Sequence, residues 1–225
     1  MLKGKGIISD LQKEVLLSFS GLTDSQHFYL TGGTALAEFY MGHRRSFDLD
    51  LFTAEKGLIL PFSRAVGDEL KKKFSVDVVR RFETFAEFEV GKMAETIKVQ
   101  LAYDSPFRFK KPVDSNLGVS VNDYKDLIVD KFLAFFGRVE PRDAVDLFFI
   151  LKREGFWELV KLAPKKDPGF DLYWLAIALE KTKDFPDDIN RWPVEMLVEV
   201  KVEELKGMFL NFSKEVMNKM KELKS

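Results

Sequence analysis

The 225-residue sequence predicts an α+β fold: a mixed β-sheet with flanking helices, followed by a helical C-terminal domain. Three observations predict it. Before about residue 115, apolar residues alternate between stretches of helical period and stretches of strand period. After that point they recur at helical spacing only. Between them, Gly32-Gly33 joins a short β-leaning run to an Ala- and Leu-rich one, the punctuation of a strand entering a helix.

In chain order, residues 7–19 place Ile7, Ile8, Leu11, Val15, Leu16 and Phe19 at helical intervals. Residues 27–31 read as a strand that stops at the diglycine, and 34–41 as a helix. In 46–53, Phe47, Leu49 and Leu51 alternate with Asp48, Asp50 and Phe52, so the strand has one apolar and one polar face. Residues 60–74 return to a helical period. Strands are expected at 76–82, 85–90 and 96–103, with 91–95 as a hairpin connection. Pro106 and Pro112 punctuate a basic loop carrying Arg108, Lys110 and Lys111. Asn122 or Asp123 caps a helix reaching Gly137, and Pro141 opens another through Lys152. Further helices run to the end, broken near 164–169, Pro186 and Pro193. The expected domains are 1–115 and 116–225, the second completing an active-site cleft.

Composition narrows the chemistry. With 46% hydrophobic residues and 22 Phe, the chain can offset its ordering entropy, which excludes intrinsic disorder. Lys+Arg 35 against Asp+Glu 36 leaves no global basic field, so any nucleic-acid contact must be local. Zero Cys removes disulfides and thiolate metal sites, and the remaining Asp, Glu and two His favour hard cations. No apolar stretch spans a membrane and no signal-peptide pattern opens the chain, so a cytoplasmic location is expected.

The chemistry concentrates in residues 32–53. Asp48 and Asp50, two apart on a strand, project from one face, and two adjacent carboxylates repel unless a cation lies between them. A Mg²⁺ that also touches phosphate oxygens is the natural neutraliser. The Gly32-Gly33 backbone can approach a phosphate closely, with the Thr34 hydroxyl and the Arg44-Arg45 pair as further donors. Taken singly, a D-x-D strand is often a solvated face and a diglycine only a turn. Their succession on two strands with a helix between describes a nucleoside triphosphate site.

These residues carry a resemblance. Residues 30–53, with Leu30-Thr31-Gly32-Gly33-Thr34-Ala35, Gly42-His43-Arg44-Arg45-Ser46 and Asp48-Leu49-Asp50, resemble the AbiEii/AbiGii toxin-type nucleotidyltransferases of the DNA polymerase β-like superfamily. Asp126-Leu127, Lys131, Ala134, Arg138 and residues 142–147 extend the match over about residues 28–152, a little over half of the chain. The resemblance implies a nucleotidyltransferase-like fold and transfer of an NMP from an NTP to a hydroxyl of an RNA, a tRNA among the options, or of a protein. It implies one or two Mg²⁺ ions on Asp48 and Asp50, and triphosphate contacts from Gly32, Gly33, Thr34 and Lys131. It also implies a site role for Asp146 and a cognate antitoxin as partner. Arg142 and Asp146, four apart on one helix, equally suit a surface ion pair.

One position departs from the superfamily pattern. The strand that commonly bears a third, proton-accepting carboxylate has Gln100 there, and an amide takes no proton. Asp104, Glu87 and Glu89 are alternative acids. Gln100 therefore sustains a second reading, a non-catalytic binding protein on the same fold, and γ-phosphoryl transfer is a third. Among other residues, His27 reads as a packed or strand-edge side chain. His43 could contact phosphate, orient Arg44 or build the loop. Lys71–Lys73 is a solvated helix end, and Arg108, Lys110 and Lys111 could meet an RNA backbone.

Overall fold

Leu11, Val15, Leu16 and Phe19 of the first predicted helix are buried, and its start is fixed by a reciprocal cap. In the computed structural model, which describes residues 1–222, α1 (Asp10–Ser20) follows Ser9, whose hydroxyl accepts from the Gln12 N–H while the Gln12 side chain accepts from the Ser9 N–H. The end of the expected helical region, 223–225, lies outside the described residues. The chain divides into two compact units, residues 1–124 and a second beginning at Lys125.

In the first unit, β1 (Tyr29–Thr31), β2 (Leu49–Thr53), β3 (Ser75–Arg81), β4 (Phe85–Lys92), β5 (Glu95–Tyr103), β6 (Val113–Asp114) and β7 (Ser120–Val121) form one mixed sheet of order β3-β4-β5-β2-β1-β7-β6. The last two strands were not foreseen. They are two residues long, too short to show a period, and β7 adds parallel to β1, which carries the unit past residue 115. Helices α2 (Gly32–Ala35) and α3 (Ile59–Leu70) complete the unit, α2 continuing as a π-helical turn Leu36–Met41 that Gly42 closes in the left-handed region at φ 73°. One sheet face bears Leu49, Leu51, Val99, Leu101, Ala86 and Phe88, all fully buried. Helices α1 and α3 pack beside these strands, and Phe19, Phe28 and Phe62 meet with ring centroids 4.7–5.6 Å apart. Each such ring contributes about 1.5–3 kcal/mol on burial, so this layer holds the sheet rigid.

Several expectations need correction. Residue 27 does not begin a strand: Thr23–His27 is a 3₁₀ turn and His27 is exposed. Phe47, expected on the apolar face, precedes β2 and is 50% exposed. Pro164 does not break a helix, because it sits in the last turn of α6 (Phe156–Lys166), where few backbone bonds remain to be lost.

The second unit is helical: α4 (Tyr124–Arg138, whose first residue belongs to the first unit), α5 (Pro141–Leu151), α6, α7 (Leu172–Glu180) and α8 (Val202–Glu222). Phe135 packs on Phe209 of α8 and Phe156 stacks on Phe212 at 4.2 Å. No helix among the described residues is long and apolar enough to cross a membrane.

Candidate active site

The turn after β1 is built for close approach. Gly32 has φ +69°, a conformation L side chains rarely adopt, and a Cβ placed there would overlap the Asp50 carboxylate. A Cβ on Gly33 would lie 2.6 Å from Arg44 Nη2 and 2.8 Å from Ser46 Oγ. The two glycines are therefore bare because Asp50, Ser46 and the Arg44 guanidinium lie against them. Arg44 is buried and Arg45 exposed, and Arg44 Nη1 donates to the Arg45 carbonyl at 2.9 Å. An anion-seeking backbone turn, a buried guanidinium and a carboxylate thus share one corner.

The segment leading into Asp48 is pinned from two sides. The Thr34 hydroxyl donates to the Asp48 carbonyl, and Gln12 Nε2 donates to the carbonyls of Ser46 (2.9 Å) and Phe47 (3.1 Å). Both side chains are 1% exposed. The Thr34 hydroxyl, expected as a phosphate donor, here latches the Asp48 backbone. Gln12 went unnoticed in the sequence because a Gln in an amphipathic helix carries no motif. Asp48 and Asp50 themselves are half-buried, Asp48 one residue before β2 and Asp50 within it.

Glu38, in the π-helical turn, is also buried and also unforeseen. Its carboxylate accepts the backbone N–H groups of Gly6 (2.8 Å), Ile7 (2.6 Å) and Ile8 (3.1 Å), and so ties the N-terminal segment to the helix that follows the diglycine. A π turn is uncommon, and here it follows directly on the four-residue helix that opens at the site.

Strand register defines the face on which Asp50 stands. Asp50 of β2 is opposite Thr31 on β1 and Gln100 on β5, and Gln100 is opposite Glu87 on β4. Gln100 thus occupies the strand position next to Asp50, and its Nε2 donates to Glu87 Oε2 at 2.8 Å. Of the alternative acids, Asp104 lies beyond the end of β5, where it accepts from the Tyr29 hydroxyl (2.6 Å) and Arg108 (3.1 Å). Glu89 is opposite Lys98, one pleat further from Asp50 than Glu87. Burial first, and the Asp104 carboxylate second, push the Tyr29 hydroxyl well above the usual phenol range, so it remains a donor.

Arg108, one of three basic residues of the loop that could meet an RNA backbone, forms an internal strut. Its guanidinium lies 3.8 Å from the Tyr29 ring centroid and reaches Asp104 and Asn122, and Asn122 in turn donates to Thr31. Its side chain is 13% exposed. Lys110 and Lys111 are exposed. His43 is fully buried.

In the second unit, Lys131 and Asp146 are brought together. Lys131 Nζ lies 2.8 Å from Asp146 and 3.9 Å from Asp143, with both carboxylates fully buried. Arg138 clasps Asp143 through two nitrogens at 2.5 and 2.8 Å. Arg142 donates to Glu140 at 2.9 Å. Asp146 is fully buried, whereas the Arg142 side chain is 41% exposed. Helix periodicity marks Lys131 as inward-facing, and the two aspartates of α5 are its charge partners.

The donor set near the diglycine is oxygen only. Two half-buried carboxylates two residues apart suit Mg²⁺, which is commonly bound through one or two carboxylates plus substrate phosphates and waters. Among the described residues, no group of three or more His, Asp or Glu forms a self-sufficient metal cage. The residues present fit a cation shared with a phosphate-bearing ligand.

The chain is 29% identical over 182 residues to an uncharacterized protein of Aquifex aeolicus, covering 79% of this chain and 84% of that one. It superposes on JHP933 from Helicobacter pylori with TM-score 0.57 at 17% identity, covering 96% of each chain. It also superposes on MenT4, a nucleotidyltransferase toxin from Mycobacterium tuberculosis, with TM-score 0.55 at 14% identity, covering 91% of this chain and 82% of that one. At these identities the two solved structures establish the fold alone. The family model for the nucleotidyl transferase AbiEii toxin of type IV toxin–antitoxin systems matches residues 14–206, a span that includes the diglycine turn, Asp48, Asp50, Lys131 and Asp146, and the chain belongs to that family.

Proposed function

We propose that the protein is a Mg²⁺-dependent nucleotidyltransferase that moves an NMP from an NTP to a hydroxyl of an RNA or protein acceptor. The observation that carries this reading is the seat of Asp50 against Gly32, with Asp48 two residues before it and its backbone latched by Thr34. Asp48 and Asp50 are the metal ligands. Bound Mg²⁺ supplies charge neutralisation at the reacting phosphate and the pyrophosphate leaving group. The Gly32-Gly33 N–H groups, Arg44 and Arg45 bind phosphate oxygens. Lys131 is assigned to the triphosphate on the family resemblance, with Asp146 holding its ammonium group. A cognate antitoxin is the expected protein partner, since the family is one of paired toxins.

The test is transfer of label from α-labelled NTP in the presence of Mg²⁺ and total RNA, scored in RNA and protein fractions. Transfer with release of pyrophosphate is expected, and γ-phosphoryl transfer would release nucleoside diphosphate instead. Activity that survives in the Asp48→Ala, Asp50→Ala double variant refutes the site. Gln100 favours one second reading, a protein that binds nucleotide without turning it over. Calorimetry with NTP and Mg²⁺ showing tight binding, together with no transfer to any fraction, would select it.

A further inference from the structure

Glu87 is a buried carboxylate for which the mechanism above has no use. It is 8% exposed on an interior strand, and its one hydrogen bond among the described residues comes from Gln100 Nε2. The Gln100 amide thus turns its nitrogen toward Glu87. Its oxygen, Oε1, accepts no hydrogen bond among the described residues. Gln100 is half-buried, and its register neighbour on the side away from Glu87 is Asp50.

We propose that Gln100 offers Oε1 as a neutral ligand to the cation held by Asp48 and Asp50, and that Glu87 is a positioning residue that fixes which end of the amide is presented. The inference rests on the metal site proposed above. Amide carbonyl oxygens are ordinary ligands for hard cations, so the substitution removes a base from this strand without removing an oxygen donor. It also lowers the ligand charge from that of three carboxylates to that of two. Glu87 contributes its charge one strand away, where it orients the amide.

The experiment is Mn²⁺ binding to the full chain without nucleotide, read by the loss of the free-ion electron paramagnetic resonance signal. Gln100→Ala is expected to weaken Mn²⁺ binding about tenfold or more, the usual size of such effects around a metal. Glu87→Gln, which lets the two amides pair in either sense, is expected to weaken it by a smaller factor. The exchange variant Glu87→Gln/Gln100→Glu keeps the hydrogen bond while moving the carboxylate next to Asp50, and is expected to bind Mn²⁺ more tightly than the wild type. Wild-type affinity in Gln100→Ala overturns the proposal, provided that Asp48→Ala/Asp50→Ala abolishes binding. Binding that persists in that double variant refutes the metal site itself. If Gln100→Ala does not fold, the exchange variant decides: affinity no tighter than wild type overturns the proposal.

Discussion

Gly32→Ala separates backbone strain from the seating of Asp50. At φ +69° an L residue costs about 1–2 kcal/mol, and the added methyl would overlap the Asp50 carboxylate, forcing that side chain off its rotamer for about 0.5–1.5 kcal/mol more. The sum, about 1.5–3.5 kcal/mol, corresponds to a fall in Tm of roughly 3–14 °C for a chain of this size. Gly57 supplies the control. Its φ is +81°, but a Cβ there meets nothing within 4 Å, so Gly57→Ala carries the strain without the overlap. Thermal melting and Mn²⁺ titration of both variants should show a similar strain component in each. Loss of Mn²⁺ affinity, about tenfold or more, is expected in Gly32→Ala only. Wild-type Mn²⁺ affinity in Gly32→Ala would refute the argument that the bare turn exists to admit Asp50, and an equal loss in Gly57→Ala would show that the effect is global.

Three other outcomes are expected. Glu38→Ala leaves three backbone N–H groups of residues 6–8 without their carboxylate and should cost about 3–5 kcal/mol in urea unfolding, with Glu38→Gln retaining part of that. Lys131→Met removes the cation 2.8 Å from buried Asp146 and should destabilise by about 3–5 kcal/mol, while adding Asp146→Asn recovers a measurable part in a double-mutant cycle; additive losses would contradict the pairing. Tyr29 has a folded-state pKa raised above its unfolded value, so its contribution is fully present below pH 10 and is lost as pH rises above that. Stability should fall by up to about 1.4 kcal/mol per pH unit on this account above pH 10, and Tyr29→Phe should flatten that slope.

What could be read in the sequence follows from whether a residue's role shows in local spacing. Asp48 and Asp50 stand two apart at the start of a strand with Leu49 and Leu51 between and after them, and Gly32-Gly33 interrupts a strand-to-helix transition, so each shows within a few residues. The strands 85–90 and 96–103 likewise carry their own period. Gln12, Glu38 and Glu87 do not. Gln12 acts on carbonyls 34 and 35 residues away and Glu38 on amides 30–32 residues away, and a polar residue in a helix looks solvated until its distant partner is known. The Thr34 hydroxyl donates to the Asp48 carbonyl, a partner 14 residues away that local spacing does not reveal.

The same contrast explains why Gln100 looked like a defect. Read alone, it is a missing acid, and strand period offers Asp104 on the same strand and Glu87 and Glu89 on the preceding one as alternatives. Register changes the question. Asp104 is tied to Tyr29 and Arg108, and Glu89 stands a pleat too far, so neither stands beside Asp50. Glu87 is the acid in the row, yet Gln100 stands between it and Asp50. An arrangement with the charge one strand removed and an amide in the near position is not a depleted copy of a three-carboxylate site. It retains an oxygen donor and gives up proton acceptance on that strand, so an acceptor proton must leave by another route. An assay that varies pH with Glu87→Gln beside the wild type tests this point: an unchanged pH profile for nucleotide transfer is expected if Glu87 only orients Gln100, and loss of an acidic limb would make Glu87 the proton acceptor instead.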